Sequence, residues 1–193
     1  MGNYEQLAKF FHRLMAIGPR YGYFPEETKS ILIVKKDDAE RAKLFCTENN
    51  LNFKVKHGHR YLGGFVGEKD LESTWLKEKV NAWMEAVDSI AKLAPHASQS
   101  AFAGVQRSLQ HEWTFVQRVT NCNEALFQPL EERITHFCSS LLGNEVDENL
   151  RQWTGLPIKS GGISIPLPKH ESSLNNRISA AQCSDLLSCL KGR

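Results

Sequence analysis

No apolar stretch in this 193-residue chain approaches the ~18 residues that a membrane-spanning helix needs. The opening, MGNYEQLAKFFHRLM, mixes polar and apolar positions and has no hydrophobic segment of the signal-peptide kind. Its Met-Gly start places Gln6 where N-myristoylation requires Ser or Thr. Cysteine is sparse and scattered: Cys46, Cys122, Cys138, Cys183 and Cys189 are odd in number and form no C-x-x-C pair. A disulfide framework and a zinc cluster are therefore not expected, and reduced thiols in an intracellular protein are. The chain also lacks low-complexity tracts, a repeat of fixed period and a Gly-rich phosphate loop. Its net charge is only +2, too little for a globally basic polyanion binder.

What is present is a globular composition, 41% hydrophobic and 24% charged, on a chain long enough for one generous domain or two small ones. The charge is unevenly placed. Residues 1–60 hold 11 Lys/Arg against 7 Asp/Glu, whereas residues 61–193 hold 13 against 15. The first third is where a polyanion surface is expected.

Apolar positions recur at helical spacing through Leu7, Phe10, Phe11, Leu14 and Met15, and GPRYGYFPEE then breaks the pattern. TKSILIVKK (28–36) predicts a buried strand, and Asp37-Asp38 predicts the cap and acidic first turn of a helix over DDAERAKLFCTENN. NFKVK alternates, a turn is expected at His57-Gly58-His59, and RYLGGFV predicts a further strand. The front third thus predicts helix, strand, helix, strand, strand. Beyond Gly67 the pattern becomes helical. One long helix carries Leu71, Trp75, Leu76, Val80, Trp83, Met84, Val87, Ile90 and Leu93, and Pro95 ends it. A second runs from Phe102 to Val119 and a third from Leu126 to Leu141. LPIKSGGISIPLP (156–168) is a Pro/Gly-rich loop before a short terminal helix. The expected fold class is α+β, with residues 1–67 as a small α/β unit, 68–155 as a helical bundle and 156–193 as a loop with a last helix.

The densest cationic run, KVKHGHR, leads into YLGG. Lys54, Lys56 and Arg60 supply charge, and Tyr61, Leu62, Gly63 and Gly64 supply a tight hairpin whose glycines let another backbone come close. This combination suits a nucleic-acid contact. Residue types alone lean the other way, to Tyr61 and Leu62 packing internally while the lysines keep an edge strand soluble.

The order of motifs resembles the C-terminal half of a retroelement reverse transcriptase of the non-LTR kind, over most of the chain up to the loop at 168. ETKSILIV is similar to motif D of the palm, with Ser30 in place of the usual Thr. RYLGG is similar to motif E, the primer-grip hairpin. LPIKSGGISIP resembles the Leu-Pro…Gly-Gly segment beyond the thumb, with Ser164 at the third glycine. The resemblance implies a palm-like α/β unit followed by a thumb-like bundle, an RNA/DNA primer-template duplex as partner, and a hairpin holding the primer end. It also implies that Lys29 is the motif D lysine, which assists the pyrophosphate leaving group. The family enzyme uses Mg2+ held by an earlier Asp and an Asp-Asp hairpin. Here the sole Asp-Asp pair is Asp37-Asp38, which follows Lys35-Lys36 and enters a helix. This chain alone is thus expected to bind no metal and not to polymerise.

Other groupings are weaker. His57 and His59 have no ligand partner at metal spacing, and His111-Glu112 lacks the second His of H-E-x-x-H. His136 and Cys138 beside Ser139-Ser140 have no visible third partner. No small-molecule site and no membrane partner are indicated. Two further functions stay open: a stand-alone nucleic-acid-binding module, and a helical interaction protein without catalysis.

Overall fold

The protein is described from a computed structural model covering residues 3–121 and 124–190; Cys122 lies outside the described residues. The fold is α+β and mostly helical, and the chain divides into two compact units, Met1–Glu72 and Ser73–Arg193.

In the first unit, helix α1 (Tyr4–Ile17) begins at Asn3, whose side-chain oxygen accepts from the Glu5 N–H at 3.1 Å. Strand β1 (Ile31–Ile33) pairs in parallel with β2 (Lys54–Lys56), and helix α2 (Ala39–Glu48) makes the crossover. Parallel neighbours require such a connection, and it places a helix on one face of the pair. Ala8 and Phe11 of α1 pack with Phe45, Cys46 and Leu51, and Leu32 and Val55 join them from the sheet. Two ring contacts tighten this core: Phe11 meets Phe53 edge-on at 4.7 Å, and Tyr4 stacks on Phe45 at 4.8 Å.

Three expectations are corrected here. The strand expected over 28–36 and expected to be buried is three residues long and half-buried. Among the described residues β2 is its one strand neighbour and Leu32 alone of its side chains joins the core, and short 3-10 turns at Glu27–Lys29 and Lys36–Asp38 close both ends. Asp38 occupies the N-cap position of α2 but makes no capping bond. Its carboxylate accepts instead from the Tyr4 hydroxyl at 2.5 Å and faces Arg41, whose guanidinium lies over the Tyr4 ring. Finally, among the described residues there is one strand more than expected. The turn expected at 57–59 shrinks to a bend at His57: Gly58–Tyr61 is strand β3, and Gly64–Gly67 is its antiparallel partner β4.

The second unit is helical. Helix α3 (Lys69–Ala91), most of which lies in this unit, contributes Leu76, Val80, Trp83 and Val87 to its core. Helices α4 (Ser98–Gly104) and α5 (Gln110–Val119) are joined by a five-residue π-helical segment, Val105–Leu109. Helices α6 (Gln128–Leu142), α7 (Glu148–Gly155) and α8 (Pro168–Leu190) complete the bundle. Trp113, Phe127, Leu130, Ile134 and Phe137 are fully buried, and so is Ile165 from the Pro/Gly loop. The terminal helix is not short: α8 has 23 residues, and residues 181–190 are exposed.

A buried ion pair pins that loop. Arg151 Nε lies 2.8 Å from Glu131 Oε1, with both side chains nearly enclosed. The contact is ionic rather than an in-line hydrogen bond, since neither atom has a hydrogen-bond partner. The remaining guanidinium nitrogens donate to the carbonyls of Ile165 and Pro166 and to Thr154 Oγ1. Burial pushes the Glu131 carboxyl above its ordinary range despite Arg151, and likewise pushes up the Cys138 thiol.

Candidate nucleic-acid interface

Alternation along β2 turns Val55 inward and leaves Lys54 and Lys56 exposed. Register opposes Lys54 to Ile31 and Lys56 to Ile33, so the outer face of the pair carries two isoleucines and two lysines. Lysine stems on such a face cover apolar surface while their ammonium groups stay in water.

The hairpin β3–β4 turns through Leu62 and Gly63, with Tyr61 opposite Gly64. Both turn residues have positive φ, 48° and 83°, the signature of a type I′ turn. Asn-Gly is the ordinary choice there, because Cβ crowds the carbonyl in the left-handed region. Leu62 is in that region and 79% exposed, and the neighbouring Tyr61 is 63% exposed. A large apolar side chain therefore stands in solvent on a strained backbone, away from any core that would account for its presence.

The hairpin base is fixed at three points. The His57 ring donates from Nδ1 to the Val34 carbonyl at 3.2 Å, and the Glu68 N–H donates to the His57 carbonyl at 3.0 Å. Glu68 in turn accepts from the Lys36 N–H at 3.1 Å and meets the Lys36 ammonium at 3.0 Å. The Lys36 hydrogen bond holds the Glu68 carboxyl below its usual range, and Glu68 raises the Lys36 ammonium. At Gly67, φ is 144° and an added Cβ would lie 2.3 Å from the Gly58 Cα, so the strands close there only without a side chain.

The structure thus brings Lys54, Lys56, Arg60, Tyr61, Leu62, Gly63 and Gly64 into one compact unit but not onto one surface. Arg60 opposes Phe65, while Tyr61 opposes Gly64 one position on, so Arg60 and Tyr61 project from opposite faces of the hairpin. Lys29 ends a 3-10 turn, and its ammonium lies 2.7 Å from Glu26. That contact, then the Thr28 hydroxyl, holds the Glu26 carboxyl low, and Lys54 contributes through space. Lys29 and Lys54 therefore flank one carboxylate.

Among the described residues, no three His, Cys, Asp or Glu side chains converge as a metal site. Asp37-Asp38 does not fit Mg2+: Asp38 is already engaged by Tyr4 and Arg41. Cys138 is fully buried against Thr154, which removes it as a nucleophile. Cys46, Cys183 and Cys189 are also unpaired. Glu112 accepts from the Trp83 indole at 3.0 Å. Among the described residues no helix is long and apolar enough to cross a membrane.

Sequence reasoning missed the Glu68 clasp, the Arg151–Glu131 pair and the exposure of Tyr21, Tyr23 and Phe24. Only the last had a signal, the run YGYF inside a Gly/Pro-rich turn. Compared with known proteins, the chain matches no family model, no curated protein and no solved structure.

Proposed function

We propose that this chain is the palm end and thumb of a retroelement reverse transcriptase, contributing primer-template contacts and not polymerising by itself. One observation carries the reading: the type I′ hairpin exposes Tyr61 and Leu62 on a strained turn, within the unit that also exposes Lys54, Lys56 and Arg60. Strain retained at an exposed tip points to use of that tip, because folding alone would favour Asn or Gly there. Gly64 is buried within the hairpin, so a sugar-phosphate chain would approach the backbone at Leu62 and the half-buried Gly63, with cations nearby. On this reading Lys29 is the motif D lysine, held at rest by Glu26, and the metal-binding aspartates come from outside the chain.

The DNA and transcript upstream of the Met1 codon test the polymerase reading. An in-frame extension encoding an Asp-Asp hairpin supports it; a stop codon or unrelated sequence overturns it. A second reading, a helical interaction protein, is favoured by one feature. Leu186, Leu187 and Leu190 are exposed on α8 after its packed turns end. Such a protein would bind no duplex.

A further inference from the structure

Between α1 and the 3-10 turn at Glu27–Lys29, the chain makes a 3-10 turn over Gly18–Tyr21 and is held by its own hydrogen bonds. The Tyr23 N–H donates to the Gly18 carbonyl at 3.0 Å and the Gly22 N–H to the Pro19 carbonyl at 3.2 Å. Gly22 has φ of 75°, and an added Cβ on Gly18 would lie 2.7 Å from the Tyr23 carbonyl oxygen. Pro19 and Pro25 restrict φ at both ends. From this short frame Tyr21 is 83% exposed, Tyr23 56% and Phe24 73%. Three aromatic rings in four residues, all in solvent, exceed the single scattered apolar side chains that a surface normally shows.

The surrounding charge narrows what could cover them. Arg20 is exposed inside the turn. Of the two carboxylates that follow, Glu26 is paired with Lys29, while Glu27 keeps its charge and accepts from the Asn52 N–H at 3.2 Å. That second bond ties the segment after the aromatic turn to the strand entry two residues before Lys54. Rings with a cation beside them match single-stranded nucleic acid, whose bases offer π faces and whose backbone offers phosphates. A preformed turn adds little ordering cost on binding.

We propose that Tyr21, Tyr23 and Phe24 form a stacking platform for the unpaired bases of a nucleic-acid strand. This inference rests on the proposed nucleic-acid reading and adds to it a second contact for single strands. Stacking reads bases, whereas Lys54, Lys56 and Arg60 read phosphates, so the two are separable.

The test compares a fluorescent oligothymidylate with an abasic strand of equal phosphate number, by anisotropy. The wild-type chain is expected to bind the thymidylate at least about tenfold more tightly than the abasic strand. A Tyr21→Ala/Phe24→Ala variant should lose that difference, and Tyr21→Phe/Phe24→Tyr should keep it. Unchanged circular dichroism checks that the alanine variant folds. Equal wild-type binding of both strands, or an alanine variant as base-sensitive as wild type, overturns the platform. Failure of the hairpin reading looks different: blunt duplex binding would then be indifferent to reversing Lys54, Lys56 and Arg60. A protein-docking role for the rings predicts oligonucleotide binding unaffected by the alanine changes, and that result also overturns the proposal.

Discussion

The carboxylate of Glu68 takes both the backbone N–H and the ammonium of Lys36, at 3.1 and 3.0 Å, across 32 positions of sequence. This bidentate clasp joins the foot of the hairpin to the end of the segment that follows β1, so the tip at Leu62 is presented from a fixed base.

Glu68→Ala removes both bonds and is expected to lower the stability of the first unit modestly, the Lys36 side chain being largely exposed. The effect has a definite pH window. Glu68 is depressed in the folded state, so its contribution is present above the unfolded carboxylate pKa and fades as pH falls through the folded value. Lys36 is raised, so its share persists below the unfolded lysine pKa and fades as pH climbs through the folded value. Urea unfolding of wild type and variant should therefore differ around neutrality and converge in acid. A difference that persists in acid would contradict the clasp.

Leu62→Asn replaces the strained residue with one that tolerates the left-handed region. The change should stabilise the hairpin by about 1 kcal/mol and, by removing an exposed apolar contact, weaken duplex binding. Urea unfolding and anisotropy read the two halves. A stabilised variant with undiminished binding would show that the leucine does not contact the partner.

Gly67→Ala would force a Cβ against the backbone of His57 and Gly58. Loss of about 1–3 kcal/mol is expected in urea unfolding, with the first unit affected. A neutral result would mean the strands close differently.

Arg151→Met strands Glu131 as a buried charge and is expected to cost about 3–5 kcal/mol, whereas adding Glu131→Gln should recover part of it. Because burial raises the folded-state pKa of Glu131, the folded form binds protons more tightly than the unfolded chain. Wild-type stability from this group therefore rises as pH falls from the folded value to the unfolded one, then levels. Glu131→Gln should remove that slope in pH-dependent unfolding.

Much of the fold was legible because patterning is local. The apolar spacing from Leu76 to Val87 turns the right face inward, and Lys-Val-Lys alternation turns Val55, half-buried, onto the core. The errors arose where tertiary partners decide. Asp38 has the sequence of a cap, but the Tyr4 hydroxyl, 34 positions away, takes its carboxylate. The turn moved from Gly58 to Leu62-Gly63 because cross-strand register, not the nearest glycine, chose the reversal. Arg151 and Glu131 sit on separate helices and leave no local mark. Of the candidate site, residue types were readable, but not that Arg60 and Tyr61 would face opposite ways.

The most direct measurement is anisotropy of a labelled RNA/DNA duplex across salt, with wild type and Lys54→Glu/Lys56→Glu/Arg60→Glu. If these three cations each neutralise a phosphate, affinity should fall roughly 40-fold between about 50 and about 200 mM salt. The charge-reversed variant should not bind. Duplex binding that survives the reversal intact, or that ignores salt, would contradict the placement of the nucleic-acid contact on this hairpin and its strand edge.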